Sequence, residues 1–230
     1  MIDIIFSPKW FYGKDIIIDI VSIIVLALIS LFSWRYYRIN KNRNYLLLSS
    51  SFCLMAVSYI FKILTNFTIY YKILETKRIG FLILTYTSIK SSQILYLAGF
   101  FIFRLLMLIG LFILFSIYQK KSKSSSFLMV YLIVMLTYFT WSAYYVFYIT
   151  ALILMIFITG TYLKTSRRQK TMTSRTLVYS FAIIALSQIF FIFISVNLIL
   201  YVIAELIQLV GYLLLLYTFI IVIKHGKKKK

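Results

Sequence analysis

The stretch GFFIFRLLMLIGLFILFSI, residues 99–117, holds 19 residues of which only one, Arg104, carries a charge. As an α-helix it would be about 28 Å long, because each residue advances a helix by about 1.5 Å. The hydrocarbon core of a bilayer is about 30 Å thick and takes about 20 apolar residues to cross. The stretch therefore predicts a membrane-spanning helix with an arginine near its middle.

Apolar blocks of similar length recur along the whole chain. Hydrophobic residues make up 63% and charged residues 13% of the sequence, and the mean hydropathy is +0.96. Soluble proteins average about half apolar and about a quarter charged. We predict an all-α, polytopic membrane protein that forms one integral domain over residues 1–230, a bundle of seven transmembrane helices. The predicted spans are 15–34, 45–65, 93–118, 127–141, 143–163, 175–196 and 198–223.

Lysine and arginine are concentrated in four short segments outside the apolar blocks. The segments 35–43, 119–123, 164–175 and 224–230 hold 4, 3, 5 and 5 basic residues and no Asp or Glu. Short loops rich in Lys and Arg stay in the cytoplasm, and all four segments share one side only if two crossings separate each neighbouring pair. This predicts two crossings within 127–163, an extracytoplasmic loop at 66–92 and an outside N-terminus. The basic tail, 224–230, is then cytoplasmic in a multi-pass protein of the cell membrane.

Arg104 has one predicted partner of opposite charge at a similar depth, Glu205. An unpaired arginine at mid-membrane costs about 2.5–3.5 kcal/mol on insertion scales, so its side chain should face protein or water. On the last span Tyr201, Glu205 and Gln208 follow spacings of 4 and 3, which places them on one face of a helix. We therefore predict that Arg104 pairs with Glu205 inside the bundle.

Polar side chains inside the spans lie mostly in the predicted outer halves, which indicates a polar pocket that opens outward. In this pocket Arg104 would hold a polar or anionic group of a small ligand, and Glu205 would orient Arg104. The structural alternative is that the pair only fixes helix register, since polar side chains also join helices at about 0.6 kcal/mol each. The candidate ligand-binding residues are Lys62, Arg104, Gln188, Tyr201, Glu205 and Gln208.

Several chemistries lack the residues that they need. The single histidine, His225, lies in the basic tail, and the single cysteine, Cys53, lies in an apolar block. HExxH metal ligation, Ser–His catalysis and bis-histidine haem ligation are therefore excluded, and we expect no enzyme activity, no cofactor and no metal site. The net charge of +20 sits next to the spans, which favours the bilayer and its anionic headgroups as partners over nucleic acid.

Three functions remain compatible with the sequence. The leading hypothesis is a sensor or receptor-like module that signals through a partner membrane or signalling protein. The alternatives are a small-solute or proton-coupled transporter in which Glu205 titrates, and a structural or assembly subunit without a ligand. A receptor should have a closed inner half, a transporter should continue its polar groups to the inner side, and a subunit should have no cavity.

Overall fold

The computed structural model describes residues 7–11, 13–78, 82–117, 123–140, 143–169 and 172–227. Side chains at 9, 67–78, 82–96, 123–126, 128, 168–169 and 223–227 lie outside this description. A short 3₁₀ turn, Lys9–Phe11, comes first. The α-helices that follow are α1 (Lys14–Asn40), α2 (Arg43–Arg78), α3 (Leu82–Ser116), α4 (Lys123–Phe139), α5 (Tyr144–Gln169), α6 (Met172–Ile192) and α7 (Ile199–Lys227).

Six helices among the described residues are long and apolar enough to cross a membrane, namely α1, α2, α3, α5, α6 and α7. This confirms the prediction of an all-helical chain of the multi-pass type. The exception is α4, whose described apolar part is Met129–Phe139. Those residues extend only about 16 Å as a helix, short of the bilayer core. The count of seven crossings and the orientation stay predictions.

The segment 66–92, predicted as a loop, is helical over most of its length. α2 continues to Arg78 and α3 begins at Leu82. The distribution of Lys and Arg indicates on which side of a membrane a segment lies, but it does not determine the secondary structure of that segment. Because 66–92 contains no proline and a single glycine, Gly80, nothing in its composition breaks a helix on either side of that glycine.

Six helices form a ring in which each packs on two neighbours, in the order α1, α2, α3, α5, α6, α7 and back to α1. α4 lies outside the ring, against α3 and α5. Most of its described side chains are exposed, whereas Ile133 and Thr137 in its second half and Thr140 just after its end are buried. The interior of the bundle is therefore enclosed by the six long helices.

Two glycines let neighbouring helices of the ring approach closely. A Cβ atom at Gly110 of α3 would lie 2.7 Å from Met55 Cγ of α2, and one at Gly211 of α7 would lie 2.5 Å from Ile184 Cγ1 of α6. The Ser51 hydroxyl of α2 also donates a 2.8 Å hydrogen bond to the Gly110 carbonyl. At these levels the helix backbones meet with no room for a larger side chain.

Aromatic contacts identify the end of the bundle at which α1, α5 and α7 begin. Phe11, just before α1, packs edge-on against Tyr201 of α7, and Tyr201 packs against Phe191 near the end of α6. Phe191 in turn stacks on Tyr148 of α5 with ring centroids 4.9 Å apart. We call this the proximal end of the bundle, and the opposite end the distal end.

Candidate functional site

Lys62 of α2 bridges two carboxylates from different helices. Its ammonium donates hydrogen bonds to Asp19 Oδ1 of α1 at 2.7 Å and to Glu205 Oε1 of α7 at 2.6 Å. The side chains of Asp19 and Glu205 are 0% and 2% exposed, and that of Lys62 is 13% exposed. These three residues, named the ion cluster below, join α1, α2 and α7 between one and two turns from the proximal ends of α1 and α7.

The ion cluster holds one more carboxylate than it has ammonium groups. Oδ2 of Asp19 is fully buried and accepts no hydrogen bond within the described part of the chain. A buried charge is stable only when it is paired and its remaining hydrogen-bonding atoms are satisfied. The ion cluster is therefore a place where an additional hydrogen-bond donor or positive charge would be stabilised.

The helix face predicted for α7 points into the bundle. Tyr201, Glu205, Gln208 and Tyr212 are all buried, as their spacings of 4, 3 and 4 require for a single inward stripe. Residues between them, such as Leu206 and Val210, are exposed on the outer surface. The periodicity of the sequence was sufficient to place this stripe.

A second polar group lies beside the ion cluster and involves two tyrosines. The Gln208 amide nitrogen donates hydrogen bonds to the hydroxyls of Tyr59 of α2 and Tyr212 of α7. The two hydroxyls are 3.1 Å apart, and the rings pack edge-to-face with centroids 6.1 Å apart. These three residues, named the tyrosine network below, connect α2 to α7 one turn further into the bundle than the ion cluster.

A cavity of about 20 Å³ lies between the two polar groups and α5 and α6. Its polar wall includes Lys62, Glu205, Gln208 and Gln188, so it brings together four of the six predicted site residues. A cavity of about 10–15 Å³ is enough for one water molecule, so this cavity is large enough for a water-sized ligand. The other lining residues are Tyr59, Phe103, Met107, Leu111, Phe147, Tyr148, Ala151, Met155 and Phe191.

Tyr201 is buried but does not line the cavity. It lies closer to the proximal end, where its ring contacts Phe11 and Phe191. Its contacts are those of a packing residue that covers the ion cluster from the proximal side.

The predicted pair of Arg104 and Glu205 is wrong. Glu205 accepts its hydrogen bond from Lys62, whereas Arg104 Nη1 donates a 2.7 Å hydrogen bond to the Thr140 carbonyl at the end of α4. The guanidinium carbon also lies 3.7 Å from the ring centroid of Phe100 and 5.5 Å from that of Phe147. Arg104 is 1% exposed, so the prediction that it avoids lipid is confirmed while its partner is different.

Helix order explains why the two charges do not meet. In the ring a single helix, α1, separates α2 from α7, whereas two helices separate α3 from α7 on either side. Lys62 of α2 is therefore better placed than a residue of α3 to reach Glu205. The last carbonyls of a helix have no partner within the helix and carry partial negative charge. The Thr140 carbonyl is therefore a favourable acceptor for Arg104. Because it is a backbone group, a search of the sequence for oppositely charged side chains does not find it.

Asp19 is a residue of the site that the sequence analysis did not select. Asp15 and Asp19 are four residues apart on α1 and lie on its buried face. Asp15 accepts hydrogen bonds from backbone nitrogens at Gly13 and Ile16 and from the Asn66 side chain, and so caps the start of the helix. Acidic residues at this spacing in an apolar helix were the available signal for an inward acidic face.

The carboxylates of the ion cluster are paired with an ammonium group. Within the described residues no group of three His, Cys, Asp or Glu side chains is arranged to hold a metal ion. The carboxylates of the ion cluster instead accept hydrogen bonds from Lys62. The site favours hydrogen bonding and ion pairing as its chemistry.

Comparison with known proteins gives no relative from which a function can be transferred. No protein-family model, no curated protein and no solved structure matches the chain.

Proposed function

We propose that the protein is a non-enzymatic sensor or receptor-like module of the cell membrane that binds a small polar ligand at the cavity beside the ion cluster. The observation that carries this proposal is Lys62, which is held between carboxylates of α1 and α7 at the wall of a cavity whose other walls are α3, α5 and α6. A ligand at this position would contact helices from both sides of the ring. Its binding would change the relative stability of different helix arrangements.

The charge and size of the site favour a small ligand that is neutral or positively charged. Asp19 and Glu205 outnumber Lys62, and Arg104 donates to Thr140 at the side of α4. An anion would meet an excess of carboxylates, which disfavours the anionic ligand among those considered from the sequence. A larger molecule would require the lining side chains to change rotamer.

The packing distal to the cavity favours a receptor over a carrier. At the level of the tyrosine network α6 and α7 meet at Gly211, next to Tyr212, and α2 and α3 meet at Gly110, next to the cavity-lining Leu111. Buried hydroxyls further along, such as Ser33 and Thr218, donate to carbonyls of their own helices. A path for a solute through the bundle would have to open these contacts, whereas a receptor does not need one.

Thermal unfolding of the purified protein in detergent tests this proposal. The probes are a panel of amino acids, polyols, amides and small ammonium ions, because a ligand that binds only the folded state raises its stability, by about 2.7 kcal/mol at 100 times its Kd. A ligand of this site should raise the Tm of the wild type and of the exposed control Lys164→Met, but not that of Gln188→Leu. Equal stabilisation of all three proteins would place binding elsewhere.

A proton-coupled transporter is the second candidate, and the excess carboxylate of the ion cluster favours it. A proton is the smallest ligand that would offset that charge. Solute uptake into proteoliposomes with and without Glu205→Gln tests this candidate. Uptake that is unchanged by Glu205→Gln removes Glu205 from the mechanism.

The proposed orientation places the distal end in the cytoplasm. Exposed cations lie near this end on α1, on α2 and between them, and again on α5 and α6; they are Arg35, Arg38, Lys41, Arg43, Lys164, Arg167 and Arg175. Each such cation contributes about 1 kcal/mol of attraction to an anionic leaflet. We expect higher thermal stability in phosphatidylglycerol than in phosphatidylcholine nanodiscs, and a smaller difference after Arg35→Gln, Arg38→Gln and Arg43→Gln are combined. The same face would bind the partner protein that passes on the signal.

A further inference from the structure

We propose that the cavity binds one ordered water molecule that joins the ion cluster to the tyrosine network. The cavity measures about 20 Å³ and both polar groups contribute to its wall. Water occupies buried sites that offer at least this space and two to four polar partners, whereas cavities lined only by apolar atoms stay dry. This inference rests on the cavity and its walls, so it stands or falls independently of the proposed function.

The hydrogen-bonding capacity of the ion cluster matches one water molecule. An ammonium group has three N–H donors, and Lys62 gives two of them to Asp19 and Glu205. Oε1 of Glu205 accepts one of these bonds, which leaves Oε2 of the same carboxylate as an acceptor. A water molecule can accept from the third N–H of Lys62 and donate to this second oxygen.

The second hydrogen of the water can be donated to a glutamine side chain. Gln208 uses its amide nitrogen for the tyrosine hydroxyls, and Gln188 uses its amide nitrogen for the Ser187 hydroxyl at 3.2 Å. Each side chain therefore has its carbonyl oxygen to offer, and both residues line the cavity. The water then makes three hydrogen bonds, the usual number for a buried water molecule.

The consequence is a continuous hydrogen-bonded chain across the bundle. It begins at Asp19 on α1 and passes through Lys62, Glu205 and the water to Gln208, and from there through Tyr59 and Tyr212. Without the water the described contact between the two groups is that of the Lys62 ammonium over the Tyr59 ring, 5.3 Å from its centroid. With it, the ion cluster and the tyrosine network form one polar unit.

Hydroxyl-radical labelling of the intact protein in detergent tests the proposal. Radicals generated by a short X-ray pulse arise at bound water and oxidise the nearest reactive side chain even where bulk solvent cannot reach. Met107 and Met155 line the cavity and are 4% and 1% exposed, and Met55 is 1% exposed and does not line it. We expect Met107 and Met155 to be oxidised several-fold faster than Met55, with the exposed Met172 as the measure of radical dose.

A variant that fills the cavity provides the second measurement. Ala151 of α5 lines the cavity, so Ala151→Leu should displace the water and lower the oxidation of Met107 and Met155 to the rate of Met55. The control Gly160→Leu adds a side chain to the same helix where nothing lies within 4 Å of its Cβ, and it should keep the wild-type rates. Equal oxidation of all three methionines in the wild type, or rates that Ala151→Leu leaves unchanged, would overturn the proposal.

Discussion

Lys62 is the residue on which the ion cluster depends, because it is the group that separates Asp19 from Glu205. Replacing it with methionine keeps most of its volume and leaves two buried carboxylates beside each other. Breaking a buried ion pair by removing one partner costs about 3–5 kcal/mol. We expect Lys62→Met to lower the free energy of unfolding by that amount in reversible unfolding in mixed micelles, and the exposed Lys164→Met to change it by less than about 0.5 kcal/mol.

A triple variant separates the charge of the cluster from its shape. Asp19→Asn, Lys62→Met and Glu205→Gln together remove all three charges, and replacing a buried ionic group as a whole is often close to neutral. The triple variant should therefore be more stable than Lys62→Met alone. If it were less stable, the two carboxylates would not be the source of the cost, and the cluster would matter through packing.

The sequence was informative about which face of a helix is polar and uninformative about which helix lies opposite. The spacing of Glu205 and Gln208 was enough to place them inside the bundle, because a membrane helix buries its polar stripe. Pairing Glu205 with Arg104 required the order of helices around the ring, and that order depends on packing between residues far apart in the chain. Lys62 was selected as a site residue, yet its position between two carboxylates became clear only from the fold.

Arg104 joins α3 to the end of α4 through its hydrogen bond to the Thr140 carbonyl. Because a hydrogen bond from a charged donor contributes about 1.5–3 kcal/mol, Arg104→Met should lower the free energy of unfolding by that amount. Hydrogen exchange should become faster in the last turn of α4, where the acceptor Thr140 lies. The exposed control Arg167→Met should change neither quantity, and unchanged exchange in α4 for Arg104→Met would mean that the contact does not hold the helix.

The close contact between α6 and α7 predicts that substituting glycine by alanine has different effects on stability at Gly211 and at Gly160. In Gly211→Ala the new methyl group would lie 2.5 Å from Ile184 Cγ1 and 3.2 Å from the Ile184 backbone nitrogen. Overpacking of this kind costs about 1–3 kcal/mol. Gly160→Ala meets nothing within 4 Å and should leave stability unchanged or raise it by about 0.4–1 kcal/mol. Equal effects in chemical unfolding would contradict the close approach.

Hydropathy and charge were sufficient to predict the long apolar helices of the chain, but not the structure of the segments that connect them. Six of the predicted spans correspond to helices long enough to cross, because apolar length is a local property of the sequence. The helical continuation of α2 and α3 through most of 66–92 could not be read from charge, which reports only the side of the membrane. The remaining span, 127–141, depends on α4, which packs outside the ring.

The packing of α3 and α5 gives the direction in which α4 runs. The end of α4 lies beside Arg104 of α3, and α5 begins next to the end of α6, where the Tyr144 hydroxyl approaches the Ile192 carbonyl at 3.4 Å. The end of α3 instead packs near the middle of α5, through Phe115 and Phe157. Between the end of α3 and the start of α5 the chain must therefore return toward the proximal end, and α4 is the element that makes this return.

Cysteine accessibility in whole cells tests two predictions together: that α4 crosses the membrane, and that the proximal end of the bundle faces outside. In a Cys53→Ser background, single cysteines replace Asn42 between α1 and α2, Ala143 between α4 and α5, and Asn197 between α6 and α7. With seven crossings and a cytoplasmic C-terminus, a membrane-impermeant maleimide should label the cysteines at 143 and 197 from outside. It should label the one at 42 only after permeabilisation, because that position lies in the basic segment 35–43, which we predict to be cytoplasmic. Labelling of 197 but not 143 in intact cells would place the α4–α5 connection away from the outer surface and would contradict a crossing by α4.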